Sequence, residues 1–279
     1  MLPVPTLDHV VVNARDRLDD AQQTYRRLGF TLTPRGHHTL GSMNHLAVFG
    51  TDYLELLAVP PGEARRPELL EAPTGLNALV FGTEDSSAVF QALSAAGVPV
   101  EPPDAFSRPV ELPGGARRDA AFRTVRLKPD TSEAGRFYFC HHLTRDLVWR
   151  DEWRHHPNGT TGVDRAVIAA ADPAKLAGLF ARMFGADAVQ RDGEGCALQV
   201  GLSRFEVVTH AALAASFGPA APDAAGRDAF MAALSLRTRS LDHAATALAA
   251  GGGVDVCRRD RRIVVPAVAA FGVALEFVA

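Results

Sequence analysis

The sequence predicts an α+β fold built from four copies of one β-α-β-β-β unit, and three observations carry that expectation. A strand, a helix and a closing glycine recur four times, with strands starting at residues 7, 76, 163 and 234. The spacings of 69, 87 and 71 residues are too long for a solenoid repeat and suit a small supersecondary unit. After each helix the chain turns strand-like, and a four-stranded sheet with a helix on one face must have its other face covered, so the units should pair.

The first unit opens with LDHVVV at 7–12, followed by a helix-like stretch from Asp16 to Leu28 that stops at Gly29, the usual residue after a last helical turn. Strand-like FTLTPRG, SMNHLAVFG and DYLELLAV follow, separated by Gly, Thr and Asp turn residues. The second unit repeats the pattern as LNALVFG from 76, a helix over Glu84–Ala96 and Gly97, then a Pro-Gly-Gly hairpin signal at 113–115 and the strand GRFYFCHHL. In the third, VDRAVIAA from 163 leads to Asp172 as helix cap, Pro173 in the first turn, the helix AKLAGLFARMF and Gly185. The fourth is shorter: LSLRTR from 234, Ser240 as cap, LDHAATALAA, and Gly251-Gly252-Gly253. Residues 1–143 then hold one pair (units 7–59 and 76–143), 144–161 form a linker, and 162–279 hold the other pair (units 163–210 and 234–279).

Composition narrows the function classes. The chain has 279 residues, 47% hydrophobic and 22% charged, which excludes a disordered polymer, a coiled coil or a collagen-like chain. A net charge of -3 supplies no field for a phosphate backbone, so nucleic acid is not an expected partner. No apolar run is long enough to span a bilayer, and the N-terminus lacks the basic and long apolar regions of a signal peptide, so no membrane role and a cytoplasmic location are expected. Cys140, Cys196 and Cys257 are far apart and suggest neither a disulfide framework nor a thiolate zinc site. Eight of the ten histidines fall in the first 156 residues, so imidazole chemistry belongs to the first half. G-x-S-x-G, P-loop, G-x-G-x-x-G and H-E-x-x-H patterns are absent, which leaves hydrolase, nucleotide-cofactor and zincin readings without a motif.

Paired β-α-β-β-β units, together with LDHVVV, LGFTLTPRGHH, GSMNHLAVFGTDYLELL and FRTVRL followed by FYFCHHLTRDLVWRDEWRHHPNG, resemble the glyoxalase-like branch of the vicinal oxygen chelate (glyoxalase/bleomycin resistance/dioxygenase) superfamily. The resemblance covers essentially the whole chain. It implies two paired-sheet, cup-shaped half-barrel domains, with side chains from the first and last strands of the units converging on a divalent metal that keeps open positions. Such a metal would chelate two neighbouring substrate oxygens and act as a Lewis acid. Carried over residue by residue, His9 takes the first-strand ligand position and Glu55 the last-strand one. The second unit departs from the pattern, with Ala78 at the His9 position and Phe139 at the carboxylate position. His141 shares the face of Phe139, roughly 7 Å further along at about 3.3 Å per residue. It would complete a two-histidine, one-carboxylate set with His9 and Glu55 if the strand end curls inward. At the corresponding positions the third unit has Arg165 and Glu206 and the fourth has Leu236 and Glu276, so the second half should hold an ion pair rather than a cation.

Each residue also has a structural reading. His9 could be a half-buried strand histidine, and Glu55, flanked by Tyr53, Leu54, Leu56 and Leu57, could sit in a buried ion pair; a lone buried carboxylate would be costly. With a pKa raised by its leucine neighbours, Glu55 could instead be the catalytic base. Asn44 and His45 are adjacent, so only one enters the cup. His37 and His38 follow a turn and default to exposed loop positions. Arg123 and Arg126 face opposite ways: one is exposed, while the other enters the cup to bind a substrate carboxylate or pairs with Glu55. Trp149 and Trp153 read as one helical turn packing between the halves, and His155-His156 as solvated linker.

The expected substrate-binding set is therefore Asn44, His45, Arg123 and Phe139, beside the metal set His9, Glu55 and His141. The leading reading is a metal-dependent lyase, isomerase or dioxygenase using Zn, Ni, Mn or Fe(II) on a small molecule with adjacent oxygens. The incomplete ligand set argues against a glutathione-dependent glyoxalase I. The alternative is a metal-free binding or sequestering protein of the bleomycin-resistance type, with an apolar cup. A homodimer is left open.

Overall fold

A computed structural model describes residues 2–3, 5–63, 65–112, 114–252, 254–259 and 261–279. The first half runs β1 (Leu7–Asn13), α1 (Leu18–Arg27), β2 (Gly36–His37), β3 (Met43–Val48), β4 (Tyr53–Ala58), α2 (Pro67–Glu71), β5 (Gly75–Gly82), α3 (Ser86–Ala95), β6 (Asp104–Glu111), β7 (Arg117–Arg126) and β8 (Arg136–His142). The second runs β9 (Thr160–Ala170), α4 (Pro173–Phe184), β10 (Val189–Asp192), β11 (Gly195–Val200), β12 (Ser203–Val208), α5 (His210–Phe217), β13 (Ala229–Thr238), α6 (Leu241–Ala250), β14 (Cys257–Arg259), β15 (Arg262–Val265) and β16 (Ala274–Val278). The four-unit α+β expectation holds, and each half forms one eight-stranded sheet, in the orders β2-β3-β4-β1-β5-β8-β7-β6 and β10-β11-β12-β9-β13-β16-β15-β14.

Within each unit the first strand pairs in parallel with the last, and the two first strands of a half pair antiparallel at the sheet centre. The helices start where the sequence supplies caps: Asp85, Asp172 and Ser240 side chains accept backbone N–H groups at the starts of α3, α4 and α6. Of the expected turn signals, Pro113 and Gly253 lie outside the described residues. The stretch Phe30–Arg35 is not a ladder strand; only Gly36–His37 pairs there, as β2.

Alternation along the strands splits the core. One face of both sheets, with the helices, forms a single apolar cluster that includes Val10, Phe81, Phe139, Phe184, Phe205 and Phe277. Rings cross between halves here, Phe81 against Phe205 and Phe30 against Phe277. The opposite face of the first sheet has its own cluster around Val11, Leu46, Tyr53, Leu57, Val80, Phe122 and Tyr138. This sheet almost closes on itself: beyond β2, Thr39 N–H donates to Ser107 O of β6 at 3.0 Å, linking its two edges. A near-closed sheet gives its concave face a small interior, and that interior holds the site.

The connection between halves is ordered by its own side chains. Trp153 ends the short 3-10 turn Asp151–Trp153 and Trp149 lies between it and the turn Arg145–Leu147, so the two do not share one α-turn, and they pack on the concave-face cluster of the first sheet rather than between the halves. His156 is buried, not solvated; it donates to Val48 O and accepts Thr31 N–H. Burial pulls its pKa down to about 4, and the Val48 bond only partly opposes this.

Candidate functional site

The concave interior of the first sheet is lined by His9, His38, Asn44, Glu55 and Tyr138 among others. His9 comes from β1, Asn44 from β3, Glu55 from β4 and Tyr138 from β8, while His38 follows β2. All of these strand residues point to the same face because their neighbours Val10, Leu54, Leu56, Phe137 and Phe139 belong to the shared core on the other.

His9 is 3% exposed and held on three sides. Its Nδ1–H donates to Asp8 Oδ1 at 2.5 Å, its ring stacks on Tyr53 at 4.4 Å, and its Nε2 lies 3.0 Å from the Tyr138 hydroxyl. Asp8 also accepts from His142 Nε2–H at 3.0 Å. Burial opposes the Asp8 charge, but the His142 and His9 rings outweigh it and hold the carboxyl well below the usual range. An ionised acceptor on Nδ1 fixes the His9 tautomer, leaving the Nε2 lone pair facing the cup. Burial pushes the Tyr138 hydroxyl well up, so it stays protonated and donates to that lone pair.

Glu55 sits 3.8 Å from His9 Nε2 through Oε2 and 3.9 Å from His38 Nε2 through Oε1. The Asn44 amide donates to Glu55 Oε1 at 2.6 Å and lies 3.2 Å from His38 Nε2. Because the Asn44 NH2 can only donate, His38 Nε2 is the accepting nitrogen and the proton sits on Nδ1, which meets Ser42 Oγ at 2.9 Å. Burial pulls the His38 pKa down to about 4, against the pull of Glu55, so the ring is neutral at pH 7. Burial alone would raise Glu55, but His38, His9 and the Asn44 bond lower it below the ordinary value, so it is a carboxylate rather than a raised-pKa base. Two Nε2 lone pairs thus flank Glu55, each nearest a different carboxylate oxygen, in a more open arrangement than the Asp8, Cys140 and His142 group, whose ligand atoms all lie within 4.8 Å of one another. The donor set of His9, His38 and Glu55 suits a borderline or hard divalent cation.

The structure redistributes several expected site residues. Phe139 faces the shared core against Phe81 and Phe184, so the residue at the second carboxylate position is Tyr138, one place earlier. His141 shares the Phe139 face and pairs across the ladder with Arg123, away from the cup; the strand end does not curl inward. Arg123 is exposed, and Arg126 takes the cup-facing place. Of Asn44 and His45, only Asn44 enters; His45 bonds to Thr33 O on the other face at 2.8 Å. His38, expected as an exposed loop residue, has a side chain 8% exposed inside the cup.

Asp8, His38, Tyr138 and Arg108 were all missed from sequence. Asp8 escapes because the β1–β5 register shifts between Leu7 and His9, a bulge that breaks simple alternation. Arg108 had a signal: in F-S-R-P-V its neighbours Phe106 and Val110, two residues either way, pack on the cup cluster, so the arginine shares their face. A second group lies just beneath, where Asp8, Cys140 and His142 offer ligand atoms within 4.8 Å of one another.

In the second half Arg165 does pair with Glu206 and Glu276, each at 2.9 Å, and Arg262 adds a further bond to Glu276 at 2.5 Å. Leu236, expected at a cup position, belongs instead to the shared core, and Ser235 is the residue that bonds Glu276.

A family model described as the glyoxalase-like domain matches residues 7–184, the whole first half and the opening strand and helix of the second. No match was found among curated proteins. Solved structures with this fold include a hypothetical protein from Staphylococcus aureus, 12% identical, TM-score 0.68, covering 98% of this chain and 99% of that one. A mutant 4-hydroxymandelate synthase from Streptomyces coelicolor is 12% identical with TM-score 0.60, covering 99% and 93%. A xylose isomerase-like TIM barrel/4-hydroxyphenylpyruvate dioxygenase fusion protein is 13% identical with TM-score 0.60, covering 98% of this chain and 48% of that one. No helix among the described residues is long and apolar enough to cross a membrane.

Proposed function

The chain belongs to the glyoxalase-like domain family of the vicinal oxygen chelate superfamily, and from that premise we propose that it is a divalent-metal-dependent enzyme of lyase, isomerase or dioxygenase type acting on a small molecule in the first-half cup. The observation that carries this reading is that His9 Nε2 and His38 Nε2 flank Glu55 inside the cup, at 3.8 and 3.9 Å from its two oxygens, so that a small closing movement would bring the three onto one cation. His9, His38 and Glu55 would hold the cation, with His38 in the role first given to His141. When bound, the metal supplies Lewis-acid polarisation of two adjacent substrate oxygens.

The protein's own groups prepare that chemistry. Asp8 locks the ring of His9 from behind, an arrangement that orients a metal-ligating histidine and raises its basicity. Asn44 fixes the Glu55 carboxylate while leaving its second oxygen toward His9. Tyr138 keeps a proton at 3.0 Å from His9 Nε2 and can donate it to a substrate oxygen lodged at the same place.

One observation favours the metal-free alternative. The Tyr138 hydroxyl already occupies the His9 lone pair, and Ala78 removes a donor from the neighbouring strand, so the cup is self-satisfied at that point. Metal analysis of the wild type beside His9→Ala, Glu55→Gln and Cys140→Ser separates the possibilities. The proposal expects about one equivalent of Zn, Ni, Mn or Fe(II) that is lost in the first two variants and kept in Cys140→Ser. Metal retained in the first two and lost in Cys140→Ser would move the site to Asp8, Cys140 and His142. A wild type with neither bound metal nor thermal stabilisation by these ions would leave the sequestering reading.

A further inference from the structure

The cup carries more positive charge than its own residues answer. Arg66, Arg108, Arg126 and Arg136 all line it, and the carboxylate among them is Glu55. Arg66 and Arg126 have outside partners, Glu68 at 2.5 Å and Asp104 at 3.2 Å. The other two do not. Arg136 donates only to the neutral Asn77 Oδ1, at 2.8 Å, and its Nη2 has no partner. Arg108 is 5% exposed and makes no hydrogen bond or ion pair among the described residues, and its buried Nε is unpartnered.

Neither guanidinium has a carboxylate in direct contact: Glu55, and for Arg136 also Glu68, act on them only at a distance, so part of the burial cost is left for a ligand to offset. Burial pulls both arginines below their ordinary value, and for Arg136 the nearby Arg66 guanidinium adds to this. The second half shows what a self-sufficient arrangement looks like. There Arg165 and Arg262 are fully answered by Glu206 and Glu276 within 2.9 Å. Other orphaned atoms share the first cup: Asn44 Oδ1 and Thr124 Oγ1 are buried without partners. Gly36 is the enabling residue, since a Cβ there would stand 2.4 Å from Asn44 Oδ1 and 2.9 Å from Arg108 Cδ.

An approach route exists. A cavity of about 560 Å³ adjoins the cup and shares Leu40, Arg66, Arg126, Arg136 and Tyr138 with it, so a ligand passing inward meets three guanidiniums before reaching Glu55. That volume is in the range of small-molecule sites and would take the body of a ligand, while the cup itself, about 40 Å³, has room for a head group only. The walls of the cup beside Arg108 are aromatic, with Phe106 and Phe122 stacked at 5.1 Å.

From these observations we propose that the ligand is a small organic oxyanion with an apolar body, whose carboxylate or phosphonate head is received by Arg108 and Arg136. This deepens the reading of the cup as the ligand site but does not depend on a metal. Planar guanidinium forks suit such heads bidentately.

The test uses chelator-treated protein, so that it is independent of metal binding. Benzoate and phenylphosphonate are titrated by calorimetry against benzamide, the neutral analogue of benzoate. Saturable binding of an anion with at least about tenfold weaker binding of benzamide is expected, and the preferred anion identifies the head group. Arg108→Gln and Arg136→Gln should each weaken the anion about tenfold or more, the scale of a lost charge-assisted bond. Arg108→Lys should recover only part of it, while Arg123→Gln, on the exposed face, should match the wild type. Circular dichroism confirms that each variant is folded. Equal affinity for benzoate and benzamide, no binding of either anion, or unchanged affinity in folded Arg108→Gln and Arg136→Gln would overturn the proposal.

Discussion

Replacing Asp8 by asparagine tests the core of the site with almost no change in shape. The Asp8 carboxylate is 3% exposed and accepts from His9 Nδ1 at 2.5 Å and His142 Nε2 at 3.0 Å. Both rings bond the one oxygen Oδ1, so an amide oxygen in that place still accepts from both, and the substitution removes the charge while keeping the contacts. Turning a charge-assisted bond into a neutral one costs about 1–1.5 kcal/mol, so two of them, less the cheaper burial of a neutral amide, give about 2 kcal/mol net. At about 2–4 °C per kcal/mol for chains of this size, the melting temperature should fall by about 4–8 °C. The pH dependence gives an independent readout. The folded-state pKa of Asp8 lies below its unfolded value of about 3.9, so its stabilisation is present above about pH 4 and lost as pH falls further. Asp8→Asn should therefore show a shallower acid limb in urea denaturation between about pH 5 and 2. Metal affinity should fall about 10–100-fold, the usual effect of removing the group behind a ligating histidine. A loss of less than about 0.5 kcal/mol with an unchanged acid limb would refute the role given to Asp8 behind His9, because an ordinary surface substitution does as much.

Four further outcomes follow from single contacts. Asp52 accepts Val163 N–H at 2.9 Å, and burial, only partly opposed by that bond, pushes its pKa up to about 6. A raised acid stabilises the fold below its unfolded pKa and loses that contribution as pH rises through about 6, so urea midpoints of Asp52→Asn should decline less than wild type between pH 4.5 and 7, by about 2–3 kcal/mol. Gly251→Ala would place a Cβ 1.8 Å from Arg27 O, where α6 meets the end of α1, and should cost about 3 kcal/mol in thermal denaturation. Gly178→Ala in α4 meets nothing within 4 Å and should instead raise stability by about 0.5–1 kcal/mol. Arg165→Met leaves Glu276 with Arg262 and Ser235 and leaves Glu206 with Arg204 at 3.2 Å, and should cost about 1–2 kcal/mol in urea while first-half metal content stays unchanged.

How far the sequence reached depended on which physical signal each residue rested on. The fold was readable because four strand-helix-glycine patterns repeat, and caps such as Asp172 and Ser240 act within one turn of chain. His9 and Glu55 were readable because a polar residue inside an apolar strand stands out against its neighbours. Asn44 against His45, Arg126 against Arg123 and Tyr138 against Phe139 were not, because each choice turns on which way one strand is pleated, and a slip of one residue reverses every side chain. In β8 the run Phe137-Tyr138-Phe139 is apolar on both faces, so periodicity gave no register. His38 was beyond reach for another reason: its burial comes from closure of the first sheet, a contact between residues 39 and 107 that no local pattern encodes.

The two halves solve one problem in opposite ways. Both sheets curl so that the first and last strands of each unit face inward, which brings polar residues at those positions together. In the second half a cation of the chain itself, Arg165, stands at the His9 position and meets Glu206 and Glu276, so the interior is neutralised by covalently attached charge. In the first half His9 replaces that arginine, and the positive charge moves outward to Arg108 and Arg136, leaving Glu55 between two neutral imidazole nitrogens and two guanidiniums without carboxylate partners. An interior arranged in this way has its excess on the positive side, which the proposed anion at the arginines would answer, while Glu55 and the two imidazole lone pairs remain as the donors for the proposed cation. A compound whose anionic head lies next to a second oxygen would meet the arginines and that cation at once, which links the proposed chemistry to the proposed specificity through the same set of unpaired atoms.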